Sequence, residues 1–450
     1  MNILLINPSR LSPGNRAALP GGRHIRRWPP LSLLICAALL ERQGCRVTLV
    51  DAQTRPFADA AEIIRKSAAD ADRIFISSSD IDRWQCPDLG FNFLLPYTEL
   101  LNNTDFYVMG AHGTIYPETV LAATGARAVI IGEPETVVGA LGEGKPLASV
   151  PGLAYWQGGR MKINPAPAPL ALSALPPPAY HHLRGSDYCY ELLGDDFALL
   201  ETARGCPYHC SYCFKSMYGE GYREKPVGQT MLELEVIAAA GMKSLYFIDL
   251  NFTVNRERIM TLCREMAQRA FPLKWCCQTR PDLVDEELLA AMKKAGCRLI
   301  HYGIESGGNE RLRSLGKQIT VEKAAEGIEI TRKAGIQTAG FFLMGFAGES
   351  HQDIGRTIAF AKKLNMNYAS LHIVSPYRQT GFYDTNYRGK DRFPESIHSG
   401  RALNELKKIK KKFLISYYLR PSFIFRNLFS ENLLLTGKRL RLFLKLFHQP

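Results

Sequence analysis

The chain has 450 residues, of which 46% are hydrophobic and 22% are charged. This length exceeds what one ordinary core accommodates, so two or three folded units are expected, and the composition excludes an intrinsically disordered chain. The net charge of +13 would suit nucleic-acid binding, but residues 401–450 carry 12 Lys/Arg and 2 Glu, which leaves an excess of three for residues 1–400. The basic character therefore belongs to the C-terminal tail.

Targeting and redox features of the sequence predict a cytoplasmic protein. Residues 1–8 lack a basic leader followed by a long apolar run, so no secretory signal is expected. The longest apolar stretch, Leu33–Leu40, is about half the ~20 residues that a membrane-spanning helix requires. The 11 cysteines show no regular disulfide framework, which favours a reducing compartment.

Residues 1–145 alternate short apolar runs with helical patterns, as chains that form parallel α/β sheets do. The predicted strands are Ile3–Asn7, Val47–Asp51, Arg73–Ser77, Phe106–Met109 and Ala128–Ile131. The predicted helices between them are Leu31–Gln43, Ala58–Lys66 and Pro117–Thr124. Strands joined by crossover helices predict a Rossmann-like, doubly wound domain.

A Gly/Pro-rich passage at residues 146–195, with the run Pro176-Pro177-Pro178, predicts a hairpin and an interdomain linker. The alternation resumes over residues 196–385. The predicted strands there are Leu199–Ala203, Ser244–Ile248, Lys274–Gln278, Arg298–Tyr302, Thr338–Leu343 and Tyr368–His372. Six β/α units fall short of the eight that close a TIM barrel, so we expect a partial (β/α)6 barrel with its chemistry in the loops after the strands.

Three cysteines, Cys206, Cys210 and Cys213, are spaced C-x3-C-x2-C directly after the first strand of this barrel. Three thiolates so close in sequence can hold a [4Fe–4S] cube and leave its fourth iron open for a chelating ligand. Zinc is the rival interpretation, but structural zinc closes its shell with four ligands, usually in two separated pairs. The remaining cysteines, including Cys276 and Cys277, lack ligand spacing and are expected to pack in the core.

The C-x3-C-x2-C motif, with the aromatic Tyr212 before its last cysteine, resembles the signature of radical S-adenosylmethionine (SAM) enzymes. The resemblance implies that the open iron binds SAM and that electron transfer from a flavodoxin or ferredoxin splits SAM to a 5′-deoxyadenosyl radical. Further segments after the barrel strands are similar to those that bind SAM in this family. The SAM-binding residues that it implies are Tyr212, Asp249, Asn251, Gln278, Arg280, Glu305, Ser306, Met344 and Gly345.

Two of these assignments have alternatives. The family commonly carries a Gly-Gly-Glu-like motif after the second barrel strand, where this chain has Asp249 and Asn251. Arg280 offers a bidentate fork to a carboxylate, but Gln278 and Arg280 could equally be a capping glutamine and a solvated arginine.

The layout of residues 1–145 resembles the cobalamin-binding domain that is fused to many radical SAM enzymes. No G-x-G-x-x-G dinucleotide motif follows the first strand, and the D-x-H-x-x-G motif that supplies a lower histidine ligand is absent. His112 is either a corrin contact or an ordinary polar loop residue, and Trp84 either covers a flat cofactor or packs in a core. The cobalamin-binding residues that the resemblance implies are Asn7, Pro8, Ser78, Ser79, Gly110, His112, Thr114, Gly132 and Glu133.

Residues 386–450 form a basic tail in which aromatic and Lys/Arg residues interleave at near-helical spacing. This pattern suits an amphipathic helix on an anionic membrane surface, or a helical cap that packs on the barrel with a solvated basic face. Nucleic-acid binding ranks third, because no recognition fold accompanies the charge.

The leading hypothesis is a cobalamin-dependent radical SAM enzyme that methylates an unactivated carbon of a lipid or natural-product precursor. A radical SAM cyclase or rearrangement enzyme with the same cofactors is the second hypothesis. A third, from a different class, is a metal-stabilised protein that binds membrane or RNA through its tail.

Overall fold

The structure, a computed structural model, describes residues 1–10, 27–219, 221–389, 393–421 and 423. The described residues form two compact α/β units. The first comprises Met1–Tyr190, Asp195–Pro207 and Phe214–Lys243, and the second comprises Glu191–Gly194, Tyr208–Cys213 and the described residues from Ser244 onward. The predicted boundary at residue 195 does not coincide with this division, because the first barrel strand and helix belong to the first unit. Among the helices that the structure describes, none is both long and apolar enough to span a bilayer.

A seven-stranded sheet in the order β2-β1-β3-β4-β5-β6-β7 forms the centre of the first unit. Its strands are β1 (Asn2–Asn7), β2 (Arg46–Asp51), β3 (Arg73–Ser77), β4 (Phe106–Met109), β5 (Ala128–Ile130), β6 (Leu153–Gln157) and β7 (Arg160–Ile163). Strands β1 to β5 are parallel, and β6 and β7 are antiparallel. The Rossmann-like prediction is confirmed, and the predicted hairpin extends this sheet.

Helices cover this sheet, and their local sequences explain their bounds. They are α1 (Leu31–Arg42), α2 (Phe57–Ala69), α3 (Leu95–Thr98), α4 (Ala111–Ile115), α5 (Pro117–Thr124) and α6 (Glu135–Gly142). Helix α5 begins at Pro117, where a missing N–H costs nothing, and ends before Gly125, which adopts the left-handed conformation (φ +69°). Helix α1 is apolar on most sides and buries Leu31, Leu33, Leu34 and Ile35 fully, so its position is set by the core.

The segment that leads into the barrel is more broken than predicted. It contains β8 (Cys189–Tyr190), β9 (Gly194–Asp195), β10 (Phe197–Leu200), β11 (Ala203–Gly205), β12 (Tyr222–Glu224) and α7 (Val227–Ala239). The expectation of one strand over Leu199–Ala203 is wrong, because β10 ends at Leu200 and β11 pairs antiparallel with β12. The break lets the side chains of Glu201 and Arg204 form an ion pair, because a continuous strand would place them on opposite faces.

The second sheet has six strands in the order β10-β13-β14-β15-β16-β17, as the sequence predicts for a partial barrel. Its later strands are β13 (Ser244–Phe247), β14 (Lys274–Thr279), β15 (Cys297–Glu305), β16 (Gln337–Met344) and β17 (Tyr368–Ile373), all parallel. The accompanying helices are α8 (Arg256–Gln268), α9 (Glu286–Lys294), α10 (Asn309–Ser314), α11 (Val321–Lys333), α12 (His351–Leu364), α13 (Gly381–Asn386) and α14 (Gly400–Tyr418). Side chains of Asn255, Asp285, Thr320 and Ser350 cap the N-termini of α8, α9, α11 and α12.

Helix α14 is the described part of the basic tail. Its buried residues are Leu406, Phe413 and Tyr417, and the Tyr417 hydroxyl donates to Met366 O (2.9 Å). The Tyr418 hydroxyl bonds both the N–H and the carbonyl of Ala369 on β17. This segment is therefore a helical cap on the barrel; the aromatic and basic residues predicted to continue the helix beyond residue 423 lie outside the described residues.

Candidate active site

The three motif cysteines lie in the loop Cys206–Cys213, which follows β11. All three are half-buried, and none forms a disulfide. The Cys213 N–H donates to Cys210 O (3.1 Å) and closes a turn between them. Three cysteine thiolates suit a [4Fe–4S] cube with one open iron better than a structural zinc ion, which closes its shell with four ligands.

Arg204, two residues before Cys206, is the centre of a buried ion-pair network in the first unit. Its terminal nitrogens donate to both carboxylate oxygens of Glu135 (2.5 and 3.1 Å), and its Nε donates to Glu201 (3.0 Å). Glu133 supplies a third carboxylate 3.4 Å from Nη1. Burial lowers the pKa of Arg204, but the three carboxylates outweigh burial and raise it well above its ordinary value. The network joins the loop after β5 to the strand that carries the cysteine loop.

Glu133 and Trp84, both in loops after the strands of the first sheet, belong to the same network. The Glu133 carboxylate also accepts hydrogen bonds from Arg223 on β12. The indole of Trp84 is fully buried, donates to Ser79 O (3.3 Å) and lies 5.5 Å from the Arg204 guanidinium. Trp84 is therefore part of a core, as one of its two interpretations predicts.

In the second unit, the segment around Gly316 holds the later part of the cysteine loop through backbone contacts. The Ser211 N–H donates to Leu315 O (3.0 Å), and Ser211 O accepts from the Phe382 N–H (2.8 Å). Gly316 is left-handed (φ +67°), and a Cβ at this position would lie 2.8 Å from His209 O. Only glycine fits this position without displacing the loop.

Arg280, at the end of β14, is 5% exposed and holds the same region. Its guanidinium donates to both oxygens of Asp282 (3.0 and 2.8 Å) and to Lys317 O (2.6 Å), and it lies 4.0 Å from the centre of the Tyr208 ring. Arg280 is thus not a solvated side chain. These partners already use much of the hydrogen-bonding capacity of the Arg280 guanidinium. Its contact with SAM stays a prediction.

Glu305, Lys317 and Tyr212 form a buried polar chain beside the cysteine loop. Lys317 Nζ donates to Glu305 Oε1 (3.0 Å), and both side chains are less than one tenth exposed. Burial, followed by the Glu305 carboxylate and Cys210, raises the pKa of Tyr212, so its hydroxyl stays protonated and hydrogen-bonds Glu305. Glu305 itself has φ +72°, where the β15–β16 register shifts. An acidic residue with a strained backbone at the end of a barrel strand is typical of functional positions.

The next predicted SAM residues follow the second barrel strand, β13, or lie near the end of the third, β14. Asn251 is buried and its Oδ1 accepts from the Thr279 hydroxyl (2.6 Å) and the Arg280 N–H (3.2 Å). Asp249, two residues earlier, is 2% exposed, and Gln278 Oε1 accepts from Tyr246 (3.2 Å). Asn251 therefore fixes the turn after β14, and its direct contact with SAM stays a prediction.

The predicted residues after β15 and β16 make local contacts. Ser306 is buried and its hydroxyl accepts from the Gly308 N–H (3.3 Å). Met344 is buried, and Gly345 is left-handed (φ +87°) and donates its N–H to Glu349 (2.6 Å). A Cβ on Gly345 would lie 3.1 Å from Leu406, so a small residue is required where α14 packs.

The loops after β3, β4 and β5 meet at the carboxyl edge of the first sheet. A Cβ on Gly110 (φ +109°) would lie 2.7 Å from the Ser79 backbone and 2.8 Å from Ser78 Oγ. The Ala111 N–H donates to Ser79 Oγ (2.7 Å). Thr114 joins two loops, because its Oγ1 donates to Gly110 O (3.1 Å) and accepts from the Gly132 N–H (2.9 Å). Six of the predicted cobalamin residues thus belong to one set of interlocked loops: Ser78, Ser79, Gly110, Thr114, Gly132 and Glu133.

Asn7 and Pro8 lie at the end of β1, on the same edge. The Asn7 amide donates to Asp51 Oδ1 (3.0 Å), whose other oxygen accepts from the buried Tyr188 hydroxyl (2.8 Å). In doubly wound sheets this edge is where cofactors bind. At Gly132 nothing lies within 4 Å of where a Cβ would stand, which leaves room for a flat ligand such as a corrin to approach the backbone.

His112 is fully buried, and its Nε2 lies 2.9 Å from Asp88 O. Burial lowers the pKa of His112, so its imidazole is neutral at pH 7. The imidazole lies beside the rings of Phe91 and Phe93, whose centroids are 6.0 and 6.1 Å from its own. Its role as a corrin contact stays a prediction.

Sequence reasoning did not single out Arg204, Gly316 or Lys317 as site residues. Arg204 stands two residues before Cys206, but its partner Glu135 lies 69 residues away along the chain. Gly316-Lys317 follows α10 in an unremarkable turn. Only the folded arrangement shows that these residues contact or flank the cysteine loop.

Comparison with known proteins agrees with this geometry. Residues 200–361 match the model of the radical SAM superfamily, and residues 26–142 match that of the B12 binding domain. The chain is a cobalamin-dependent radical SAM enzyme. A protein of Pyrococcus horikoshii named as an uncharacterized methyltransferase is 29% identical over 100% of this chain and 99% of its own length.

Two further relatives of this radical SAM enzyme are informative. The anaerobic magnesium-protoporphyrin IX monomethyl ester cyclase of Rubrivivax gelatinosus is 26% identical over 84% of this chain and 68% of its own length. The radical SAM methyltransferase TsrM of Kitasatospora setae, solved with cobalamin and a [4Fe–4S] cluster, shares the fold with a TM-score of 0.69 at 19% identity, over 85% of this chain and 73% of its own.

The cofactors of the radical SAM enzyme follow from these domains: a [4Fe–4S] cluster, SAM and cobalamin. Cys206, Cys210 and Cys213 would hold the cluster, and the interlocked loops of the first sheet would hold cobalamin. The chain is thus an enzyme, and the alternative of a non-catalytic binding protein is not supported.

Proposed function

We propose that this enzyme transfers a methyl group from SAM to a carbon atom of a small-molecule substrate. The observation that carries the proposal is the Arg204 network, which joins a B12-domain loop at Glu133 and Glu135 to the strand leading into Cys206. Both segments belong to the first unit, so a loop of the cobalamin domain and the strand that leads into Cys206 share one buried core there. The names of the Pyrococcus relative and of TsrM support the same reaction type.

The bound cofactors would supply one-electron cleavage of SAM and carriage of the methyl group. The chain itself contributes positions for them. The buried Glu305–Lys317 pair and Arg280 keep the later part of the cysteine loop in place, and the neutral Tyr212 phenol adds a hydrogen bond to Glu305 without adding charge. A reduced flavodoxin or ferredoxin is the electron donor that we expect.

The test uses anaerobically reconstituted protein, added cobalamin, reduced flavodoxin with excess dithionite as the source of electrons, and SAM with a deuterated methyl group. We expect 5′-deoxyadenosine to form and the deuterated methyl group to be recovered on the added cobalamin by mass spectrometry. The triple variant C206A/C210A/C213A should form no 5′-deoxyadenosine. Cys45→Ala, which changes a half-buried cysteine outside the loop, should behave as the wild type. Full 5′-deoxyadenosine formation by the triple variant would overturn the assignment.

Cyclisation or rearrangement is the second candidate, and the Rubrivivax cyclase is the observation that favours it. The same experiment separates the two reactions. A cyclase would form 5′-deoxyadenosine while the deuterated methyl group stays on SAM or its methionine product. Transfer of label to cobalamin, and then to a substrate, is expected only of a methylase.

A further inference from the structure

A second cluster of metal-ligating side chains lies in the first unit, away from the cysteine loop. Glu41, on the last turn of α1, faces His181 and His182 of the turn Tyr180–His182. Their donor atoms, one from each side chain, all lie within 4.8 Å of one another. Within the part of the chain that the structure describes, no other three histidine, cysteine or carboxylate side chains meet this condition. We propose that Glu41, His181 and His182 bind a divalent transition-metal cation of the zinc class.

The donor set and its spacing suit such a cation. His182 Nε2 lies 2.7 Å and His181 Nε2 lies 3.2 Å from the same oxygen, Glu41 Oε1. In a tetrahedral zinc site with bonds of about 2.0–2.2 Å, the ligand atoms are roughly 3.3 Å apart, so small side-chain rotations would admit the ion. Two imidazoles and one carboxylate are a common zinc donor set. His181 is 64% exposed, which leaves room for water as a fourth ligand.

The two imidazoles are side by side, with ring centroids 4.4 Å apart, and both present Nε2 to Glu41 Oε1. A cation between the three groups would use the lone pairs of both rings and the charge of Glu41 at once.

The backbone on both sides of the cluster is anchored, which would lower the cost of assembling the site. The Ala179 N–H donates to Leu34 O of α1 (3.1 Å), and Arg42 donates to Ala174 O (3.2 Å). The Tyr180 hydroxyl bonds both the carbonyl and the N–H of Leu199 on β10 (2.5 and 2.9 Å). The bound cation would therefore clamp α1 of the B12 domain to the turn whose tyrosine holds the first barrel strand.

The test measures zinc binding to the cluster-loaded enzyme, because empty motif cysteines would bind zinc themselves. Isothermal titration with zinc chloride should show one site per chain in the wild type. Loss of an indirect partner of a metal ligand costs about 10–100-fold in affinity, so H181A/H182A and Glu41→Gln should each cost at least about tenfold. The matched control is His351→Ala, whose imidazole faces only Glu405 (3.3 Å) and should leave zinc binding unchanged.

Two further measurements keep the test independent of activity and of folding defects. X-ray absorption at the zinc edge should show nitrogen and oxygen ligands and no sulfur, and zinc should raise the melting temperature of the wild type but not of Glu41→Gln. Equal zinc affinity in the wild type and H181A/H182A, or sulfur ligands at the zinc, would overturn the proposal. An unchanged 5′-deoxyadenosine yield in these variants is expected and leaves the proposed methylase function untouched.

Discussion

The two flanks of the cysteine loop are held by different physical means. Before Cys206, in the first unit, Arg204 is surrounded by the carboxylates of Glu133, Glu135 and Glu201 and has no exposed side-chain surface. Around His209 and Cys210, in the second unit, close backbone packing at Gly316 acts beside the buried Glu305–Lys317 pair. The first flank thus depends on compensation of buried charge, and the second depends in addition on the absence of a side chain at Gly316.

The largest expected effect comes from Arg204→Met. Removing the guanidinium takes the closest cation from the buried carboxylates of Glu135 and Glu201, while Glu133 keeps Arg223. Breaking a buried pair in this way costs about 3–5 kcal/mol of unfolding free energy. Urea unfolding of the anaerobic protein, followed by tryptophan fluorescence, measures the loss. Arg204→Lys should also be strongly destabilised, because one ammonium cannot bond two carboxylates in the fork geometry of arginine.

The matched control for Arg204 is Arg184→Met, which removes an arginine of the same unit that is 79% exposed and pairs with Asp187. Its unfolding midpoint should stay at the wild-type value, because exposed pairs contribute little. Equal midpoints for Arg204→Met and the wild type would contradict the interpretation of the first flank as charge-compensated.

Gly316→Ala should produce the next largest effect. The new Cβ would lie 2.8 Å from the His209 carbonyl, and overpacking of this kind costs about 1–3 kcal/mol in addition to the left-handed backbone penalty. Iron content and cluster absorbance after reconstitution should fall, because the displaced carbonyl adjoins Cys210.

Gly335→Ala separates the two costs. Gly335 is also left-handed (φ +71°), but its nearest atom to a Cβ is the flexible Lys293 Nζ at 3.6 Å. This variant should lose only the backbone penalty and should reconstitute its cluster normally. If both glycine variants lose iron equally, close packing at His209 is not what holds the second flank.

A double-mutant cycle on Glu305 and Lys317 tests whether charge also contributes to the second flank. Lys317→Met leaves the Glu305 carboxylate buried without its cation, and Glu305→Gln leaves the ammonium without its anion. The double variant should be more stable than the sum of the single losses predicts, with a coupling of about 0.5–3 kcal/mol. Additive losses would show that the pair contributes no net attraction.

The sequence predicted the elements of both flanks better than their contacts. Strand and helix positions follow from hydrophobic period, and the Cys206–Cys213 spacing carries its own chemistry, so both are local signals. Arg204 meets Glu135 across 69 residues of chain, and no pattern in one sequence reports such a pair. The break between β10 and β11 was also missed, because local strand propensity does not report the pairing of β11 with β12 about twenty residues further along the chain.

An effect of another kind, a change in stability with pH, concerns Asp80, a buried carboxylate of the first unit that accepts three hydrogen bonds. It accepts from the Ser32 N–H and hydroxyl (3.0 and 2.7 Å) and the Ile81 N–H (2.7 Å). Burial, and then Asp82, raises the pKa of Asp80 from 3.8 to about 7. Between these values the folded protein keeps a proton that the unfolded chain releases, so stability falls as pH rises from about 4 to about 7.

Asp80→Asn removes this titration and should flatten that part of the stability profile. The unfolding free energy of the variant relative to wild type should therefore increase with pH across this window, by at most about 1.4 kcal/mol per pH unit, the limit for one proton. Urea midpoints at successive pH values measure this difference in unfolding free energy. The contributions of groups that titrate in both proteins cancel in it. A difference that declines with pH would mean that the hydrogen bonds from Ser32 and Ile81 outweigh burial and keep Asp80 ionised.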